Sequence, residues 1–559
     1  MLAAADQKRL DDLFRQHQTG AGQLLGFPCC SAFDYSPLYR FFGFHLNNIG
    51  DPYLPSNHQM HTYDLEREVL AVFAELTHAP ANSHWGYVTN GGTEGNMYGV
   101  FLARDVMLFY VFFEFTLVPL YVLINLFGST NRKAAATKFF LFTFTGSVLT
   151  LAGIIYVAWY NATHMSPDGT WSFSFGQLQD AARAMPLASQ MWVFWAFMAG
   201  FAVKVPLFPV HTWLPLAHTE APTAGSVILA GVLLKLGTYG IFRFALGFTP
   251  QAAVYFAPTV ATLAIIGIIY GGLICWVQTD VKKLVAYSSV SHLGFCVLGL
   301  FAFNSIGISG SILYMINHGL STGALFLLIG MVYERYHTRD MGQLGGLAAK
   351  MPIWSTFMVF FAMASVGLPG LNGFVSEFMC LLGAFQAGDV WKSYSTVAGF
   401  TGGSLGPWYA FIAGTGMIVT AIYLLFMLGK IVWGKLIEPH GHDSHGSHDD
   451  APGATPALPK DLCLREILVL APLAILCVGL GMYPTPLLRA LEAPSQLMAD
   501  VQRNAREKMN PSAPLPATDD PALTPPPADA GWYNRPTQNN MPTVLPPVAA
   551  LPSAEESPR

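Results

Sequence analysis

Charged residues are scarce in this sequence. Asp, Glu, Lys and Arg make up 11% of its 559 residues, whereas hydrophobic residues make up 52%. Because soluble proteins are typically about 25% charged, this composition excludes an ordinary soluble protein over most of the chain. The net charge of −5 is small for the length, and no basic patch is interleaved with aromatic side chains. Nucleic acid is therefore not an expected partner.

Cysteine is sparse as well. Apart from the adjacent pair Cys29 and Cys30, the cysteines are scattered singly, and no Cys-x-x-Cys occurs. Iron–sulfur clusters and structural zinc sites need closely spaced cysteines, so neither is expected, and we predict no metal ligands. One loop holds four histidines at residues 440–448 and could bind a transition metal. The simpler interpretation is a solvated loop without a function.

Long hydrophobic runs are missing from both ends of the chain. None in residues 1–105 approaches the roughly 20 residues that span a bilayer. The sequence is strongly apolar over 106–485, and 486–559 is rich in Pro and Ala. We therefore predict a small N-terminal region over 1–105, a membrane domain over 106–485 and a disordered tail over 486–559.

The membrane domain contains about ten predicted spans, which indicates an all-α polytopic membrane protein. The loops after the first, fifth, seventh and ninth spans are rich in Lys and Arg, and all four fall on one side, the predicted cytoplasmic side. The spans lie near 106–128, 138–160, 190–212, 222–247, 252–276, 284–303, 308–333, 353–386, 407–434 and 464–484.

Six ionisable residues lie on six different spans. Such groups usually face a protein interior or a water cavity and mark ion pathways or proton relays. Each alone has a simpler interpretation: a lysine can extend to the interface, a histidine can pack through a hydrogen bond, and a glutamate can neutralise a lysine. Six together favour a proton relay. They are Glu114, Lys204, Lys235, His292, His318 and Glu377.

Two of the spans are interrupted beside an ionisable residue. The run VKVPLFP follows Ala202 and contains Lys204, and GLPGLNGFVSE starts at Gly367 and ends at Glu377. Interrupted helices at corresponding positions of two halves predict inverted repeats with the working site at the breaks. Unwound backbone persists at that depth only where protein or water satisfies it, so a hydrated interior is expected.

Residues 108–483 resemble the antiporter-like subunit M (ND4-type) of respiratory complex I, the proton-pumping NADH:quinone oxidoreductase. The motifs recur in order over more than half of the chain. They are FFEFTLVPLY, VKVPLFPVHTWLPLAHTEAPTAGSVILAGVLLKLGTYGIFRF, DVKKLVAYSSVSHLGF, NHGLSTGALFLLIGMVYERYHTRD and GLPGLNGFVSEFM.

The resemblance implies a role for each of the six residues. Glu114 pairs with the broken-helix lysine, Lys204, and Lys235 links a half-channel to the central axis. His292 and His318 are central-axis histidines, and Glu377 is the terminal carboxylate of the second broken helix. The family has about four helices before the Glu114 helix. These are absent here, so the resemblance implies a first five-span repeat without its opening helix.

Residues 25–104 resemble a different family, the pyridoxal-phosphate-dependent group II amino acid decarboxylases, with histidine decarboxylase the nearest. The motifs are GFPCCSAFDYSPLYRFFGFHLNNIGDPY, HTYDLEREVLAVFAELTHAP and WGYVTNGGTEGNMYGVFLARD. In that family GGTEGN opens a helix that holds the cofactor phosphate, which assigns a remnant phosphate site to Gly92, Thr93 and Glu94. The lysine, stacking residue and aspartate that decarboxylation needs would follow, but the membrane spans begin there. We interpret the region as a non-functional fusion.

The predicted function is that of a membrane subunit of proton-translocating NADH:quinone oxidoreductase in a bacterial plasma membrane. Other membrane subunits of the complex and the lipid bilayer are its expected partners. The resemblance implies no cofactor in this chain, with pyridoxal phosphate only if the remnant were active. A cation/proton antiporter subunit and a membrane-bound hydrogenase subunit share these motifs and are the alternatives. A pyridoxal-phosphate-dependent decarboxylase is the alternative from another class.

Overall fold

The computed structural model describes residues 104–388, 405–437, 439 and 461–509. This part is helical, and its β structure is limited to three isolated bridges. The α-helices are α1 Val106–Phe115, α2 Leu117–Phe127, α3 Arg132–Tyr160, α4 Phe175–Ala184, α5 Leu187–Lys204, α6 Leu214–Glu220, α7 Thr223–Ile228, α8 Leu234–Gly240, α9 Pro250–Trp276, α10 Val281–Leu300, α11 Ser305–Tyr336, α12 Pro352–Val366, α13 Asn372–Gln386, α14 Pro407–Ile431, α15 Leu464–Met482 and α16 Thr485–Met509. Wider π-helical turns at Asn161–Met165, Leu229–Leu233 and Ile241–Leu246 adjoin α3, α7 and α8.

Eight helical stretches of the described chain are long and apolar enough to cross a membrane, and each coincides with a predicted span. The other two predicted spans are the broken helices α5–α6 and α12–α13. The predicted class, an all-α polytopic membrane protein, is confirmed. The eight stretches are Val106–Phe127, Arg132–Met165, Thr223–Leu246, Pro250–Trp276, Val281–Leu300, Ser305–Tyr336, Pro407–Ile431 and Leu464–Met482.

The first break follows from proline. Helix α5 ends at Lys204, two residues before Pro206, and α6 begins only at Leu214. A proline cannot donate the backbone hydrogen bond that would continue the helix, and its ring crowds the preceding turn. The indole of Trp213 donates to the carbonyl of Val203 at 2.9 Å, which satisfies one of the acceptors that the end of α5 leaves open.

The second break follows from glycine and proline. Helix α12 ends at Val366 and is capped by Gly367, whose φ of +82° lies in the left-handed region. That conformation favours glycine and commonly ends helices. Helix α13 then begins at Asn372. The side chain of Asn317 on α11 donates to the carbonyl of Asn372 at 2.7 Å and to the hydroxyl of Ser376 at 3.0 Å. The start of α13 is thereby fixed to the middle of α11.

The helices pack so that the ionisable residues lie inside the bundle. Helix α9 packs along α10, α11 along α13, and α3 along α5. Large hydrophobic side chains point outward, as expected of a lipid-facing surface; examples are Phe115, Leu126, Phe411, Ile418 and Ile475. The described chain therefore has an apolar surface, and its largely apolar interior also holds buried polar and ionisable groups.

The predicted tail begins too early. Residues 485–509 form the amphipathic helix α16, whose buried face includes Ser495, Met498 and Gln502. Ser309 on α11 donates to the hydroxyl of Ser495 at 2.9 Å, and the amide of Gln502 donates to the carbonyl of Leu246 at 2.7 Å. Polar composition concealed this helix, because its stability comes from packing one face on the bundle. The predicted N-terminal fragment and the histidine-rich loop 440–448 lie outside the described residues.

Candidate functional site

Lys204 is a buried cation held by neutral groups. It lies in the last turn of α5, where the helix dipole favours a positive charge. Its Nζ donates to the hydroxyl of Thr116 at 3.2 Å and to the carbonyl of Phe113 at 3.4 Å. The Phe113 ring lies beneath the ammonium, with 3.9 Å from Nζ to the ring centroid, a favourable cation–π arrangement.

The acceptors for Lys204 come from an interruption between α1 and α2. Pro119 lies in the first turn of α2 and has no N–H for the preceding turn, so the helix is interrupted at Thr116. The carbonyl of Phe113 accepts from the Thr116 hydroxyl at 2.7 Å as well as from Lys204. Pro119 of the FFEFTLVPLY motif thus interrupts the helix where the Phe113 carbonyl and the Thr116 hydroxyl accept hydrogen bonds from Lys204.

Glu114 acts on Lys204 from a distance. The carboxylate is half-buried, and its Oε1 is buried without a hydrogen-bond partner among the described residues. The two charges interact electrostatically. No ion pair within 4.0 Å joins them among the described residues. The structure therefore brings the predicted pair near each other without a direct contact.

A small cavity borders Lys204. Its volume is about 10 Å³, and its lining includes Thr116, Trp213 and, from the adjoining π-helical turn, Leu229 and Leu233. That volume is about what one water molecule requires. Gly237 allows the next helix to approach this region, because a Cβ there would lie 2.8 Å from the backbone nitrogen of Val205. Helix α8, which carries Lys235, therefore packs directly on the break.

Lys235 and His318 are in direct contact. The Nζ of Lys235 lies 2.8 Å from Nδ1 of His318 and also donates to the carbonyl of Ala230 in the adjoining π-helical turn. Both residues are buried, with 6% and 2% of their surfaces exposed. The imidazole of His318 faces that of His292, with ring centroids 5.6 Å apart. Three of the predicted residues are thus consecutive neighbours.

The chain of contacts continues to Glu377. Nδ1 of His292 lies 2.6 Å from the hydroxyl of Tyr314, and that hydroxyl donates to Oε1 of Glu377. The direct distance from His292 Nδ1 to Glu377 Oε1 is 3.4 Å. Glu377 is 1% exposed, so all of this takes place inside the bundle. The second oxygen, Oε2, is buried without a hydrogen-bond partner among the described residues.

The six predicted residues therefore form two groups. Glu114 and Lys204 lie near each other in the first group. In the second group Lys235 contacts His318, and Tyr314 joins His292 to Glu377. The two imidazoles are edge-on neighbours, and Nε2 of His318 has no hydrogen-bond partner among the described residues. The small cavity and the π-helical turn before Lys235 separate the groups. The proposed phosphate-site residues Gly92, Thr93 and Glu94 lie outside the described residues. Over the described ranges, no cluster of three or more His, Cys, Asp or Glu side chains is arranged to hold a metal.

Sequence reasoning missed Tyr314 and His218. Tyr314 precedes His318 by four residues on α11, and that spacing places both on one helix face, which could have revealed it. His218 lies in the long motif that starts at the first break, with no local pattern to single it out. It is completely buried and stacks on Phe326, with ring centroids 4.6 Å apart. Neither ring nitrogen has a hydrogen-bond partner within the described part, while Lys235 and Lys282 act on it electrostatically.

Comparison with known proteins identifies the family. The family model described as NADH:quinone oxidoreductase/Mrp antiporter, TM, matches residues 103–402. A curated relative, NADH-quinone oxidoreductase subunit M of Rickettsia bellii, is 38% identical over 390 residues, which are 70% of this chain and 70% of the relative.

Solved structures of related chains support this family assignment. A chain of respiratory complex I from Thermus thermophilus with bound NADH shares 32% identity, with a TM-score of 0.62 over 73% of this chain and 78% of that chain. A chain of the Mrp complex from Dietzia sp. shares the fold, at 23% identity and a TM-score of 0.60 over 74% of this chain and 78% of that one. This multi-pass membrane chain therefore belongs to the NADH:quinone oxidoreductase/Mrp antiporter membrane family.

Proposed function

We propose that this chain translocates protons as a membrane subunit of an NADH:quinone oxidoreductase in a bacterial plasma membrane. The observation that carries the proposal is the buried series Lys235, His318, His292 and Glu377, in which each member lies beside the next. Buried ionisable groups inside a membrane domain are costly and usually serve ion movement. The 38% identity to a subunit named NADH-quinone oxidoreductase subunit M supports the choice of complex.

In this proposal Glu114 and Lys204 form the responsive end of the relay. Redox steps elsewhere in the complex would change the charge around Glu114. Because Glu114 acts on Lys204 without a direct ion pair, that change would alter the protonation of the lysine. The proton would then pass from Lys204 across the region of the small cavity to Lys235, and Glu377 would be the terminal group of the relay.

The test is Glu377→Gln in the full chain within the assembled complex. We expect the rate of proton pumping to fall several-fold, with NADH:quinone activity falling alongside it, because an amide cannot take up the proton. Glu334→Gln, at an exposed carboxylate on α11, is the matched control and should retain both. Wild-type pumping in Glu377→Gln would refute the relay.

Assembly is tested separately. The intact chain should be found by mass spectrometry in a purified membrane complex that oxidises NADH. Recovery of this chain only in complexes without NADH-oxidising subunits would refute the choice of complex and favour the antiporter or hydrogenase alternatives.

We also propose that residues 25–104 are an inactive remnant of a pyridoxal-phosphate-dependent decarboxylase. The motif around Gly92 and Thr93 supports the ancestry, and the switch to membrane spans at Asp105 removes the part of that family that carries the Schiff-base lysine. Purified chain should develop no aldimine absorbance band after pyridoxal phosphate is added.

Sequencing the transcript across Arg104 to Val106 tests the fusion itself, because two separate transcripts would contradict it.

A further inference from the structure

Tyr314 stands between two members of the proposed relay. Its hydroxyl lies 2.6 Å from Nδ1 of His292 and donates to Oε1 of Glu377. The direct distance between those two groups is 3.4 Å, beyond the 2.7–3.2 Å range that is roughly typical of N–H···O hydrogen bonds. The hydrogen-bonded path from His292 to Glu377 therefore runs through the Tyr314 hydroxyl rather than directly between the two side chains.

The hydrogen-bond inventory fixes the direction of this arrangement. A phenol has one hydrogen to donate and oxygen lone pairs to accept with. Since Tyr314 gives its hydrogen to Glu377, the contact with His292 requires Nδ1–H to donate to the phenol oxygen. The three groups then form a donor chain that runs from the imidazole through the phenol to the carboxylate.

We propose that the hydroxyl of Tyr314 carries protons between His292 and Glu377, an inference that rests on the proposed function. Starting from a doubly protonated imidazole, the Nδ1–H bond breaks as an O–H bond forms on the phenol. The original phenol O–H bond breaks as one forms on Glu377. His292 ends neutral, Glu377 ends protonated and Tyr314 is unchanged, so atoms and charge balance.

The surroundings fit a relay position. Tyr314 is 3% exposed and its ring packs against His292 and Phe295, with centroids 6.0 and 6.3 Å away. These contacts hold the ring, so the hydroxyl keeps its position while its hydrogen exchanges. On the other side of His292, Nε2 lies 3.5 Å from the hydroxyl of Tyr423. Tyr423 is also buried and touches the same imidazole, but it does not connect it with Glu377.

The first experiment compares Tyr314→Phe with Tyr423→Phe in the assembled complex. Both remove one hydroxyl beside His292 and keep the ring. We expect Tyr314→Phe to lower the proton-pumping rate at least about 10-fold, in line with the contribution of a positioned proton-transfer group. Tyr423→Phe should lower pumping less than Tyr314→Phe does, because its contact with His292 is longer, at 3.5 Å, and does not reach Glu377. Equal pumping in both variants at the wild-type level would refute the inference.

A second substitution separates proton transfer from a purely structural role. Replacing Tyr314 with 3,5-difluorotyrosine keeps the ring and the hydroxyl but makes the phenol a stronger acid. If the hydroxyl carries the proton, the pumping rate and its solvent deuterium isotope effect should both change. Unchanged values in a normally assembled complex would show that Tyr314 only positions Glu377, and would overturn the inference even if Tyr314→Phe fails to assemble.

Glu377→Gln tells the two proposals apart. If that variant pumps normally, the proposed function itself is wrong. If it fails to pump while Tyr314→Phe and the difluorotyrosine chain both pump as wild type, the relay stands and only the role assigned to Tyr314 is wrong.

Discussion

At the scale of single residues, the site separates charges that a soluble protein would pair. Lys204 has a hydroxyl, a carbonyl and an aromatic ring around it, and its predicted carboxylate partner acts from beyond ion-pair distance. A direct buried ion pair holds both charges strongly, because separating it leaves an uncompensated charge. Neutral partners stabilise the ammonium of Lys204, and its deprotonation would leave no buried counter-charge in contact with it. The arrangement therefore suits a lysine whose charge state changes during turnover.

Glu377 depends on a glycine at the second break. Gly367 has a φ of +82°, and a Cβ there would lie 2.5 Å from Oε2 of Glu377. We predict that Gly367→Ala costs about 1–3 kcal/mol through the backbone conformation alone and also displaces the carboxylate. Proton pumping should fall several-fold, and the thermal unfolding temperature in detergent should decrease.

The matched control is Gly414→Ala on α14, where an added Cβ meets nothing within 4 Å. Alanine improves helix propensity by about 1 kcal/mol over glycine, so this variant should be at least as stable as the wild type. A Gly367→Ala variant that unfolds and pumps like Gly414→Ala would contradict the role assigned to Gly367.

At the scale of helices, the sequence predicted where the chain crosses the membrane but not how its elements meet. The apolar run at 252–276 became α9, Pro250–Trp276, and 407–434 became α14, Pro407–Ile431, because length and hydropathy alone define such helices. The Tyr314–Glu377 contact joins α11 and α13 across 63 residues. No local pattern encodes that packing, so the relay order in space required the structure.

The end of the short helix α6 is held by two cations, Arg339 from the loop after α11 and Lys282 from the first turn of α10. Arg339 donates to the carbonyl of Thr219 and lies 3.6 Å from a carboxylate oxygen of Asp280. Lys282 donates to the carbonyl of Ala221. The last carbonyls of a helix have no partner within it and interact favourably with cations. This cationic end fixes α6, and with it His218, between the loops on the predicted cytoplasmic side.

We predict that Arg339→Met loosens α6. Methionine keeps the length of the side chain and removes its donors, at a cost of about 1.5–3 kcal/mol for a hydrogen bond from a charged group. Amide hydrogen exchange in residues 217–222 should accelerate by about 10-fold, since 1.4 kcal/mol corresponds to that factor. Arg465→Met, at an exposed arginine at the start of α15, is the control. Equal exchange rates in α6 for both variants would contradict the prediction.

At the scale of the whole described chain, α16 connects parts of the bundle that are far apart in sequence. It packs on α11 and α9, and its buried Ser495 and Gln502 bond to Ser309 and to the carbonyl of Leu246. All of these contacts lie at the end of the bundle opposite the predicted cytoplasmic loops. A helix of polar composition thereby joins the start of α11 to the end of the stretch that carries Lys235.

Removing α16 should therefore weaken the bundle as a whole. A chain that ends at Pro484 loses two buried side-chain hydrogen bonds, each worth about 1 kcal/mol, and the burial of Met498, worth roughly 1.5–3 kcal/mol. Compared with a chain that ends at Met509, it should unfold at a lower temperature in detergent. Hydrogen exchange should increase near Leu246 and Ser309 but not near Lys204, because α16 contacts only the former. If both truncated chains unfold at the same temperature, the contacts of α16 do not stabilise the bundle, and the packing of the other helices accounts for its stability.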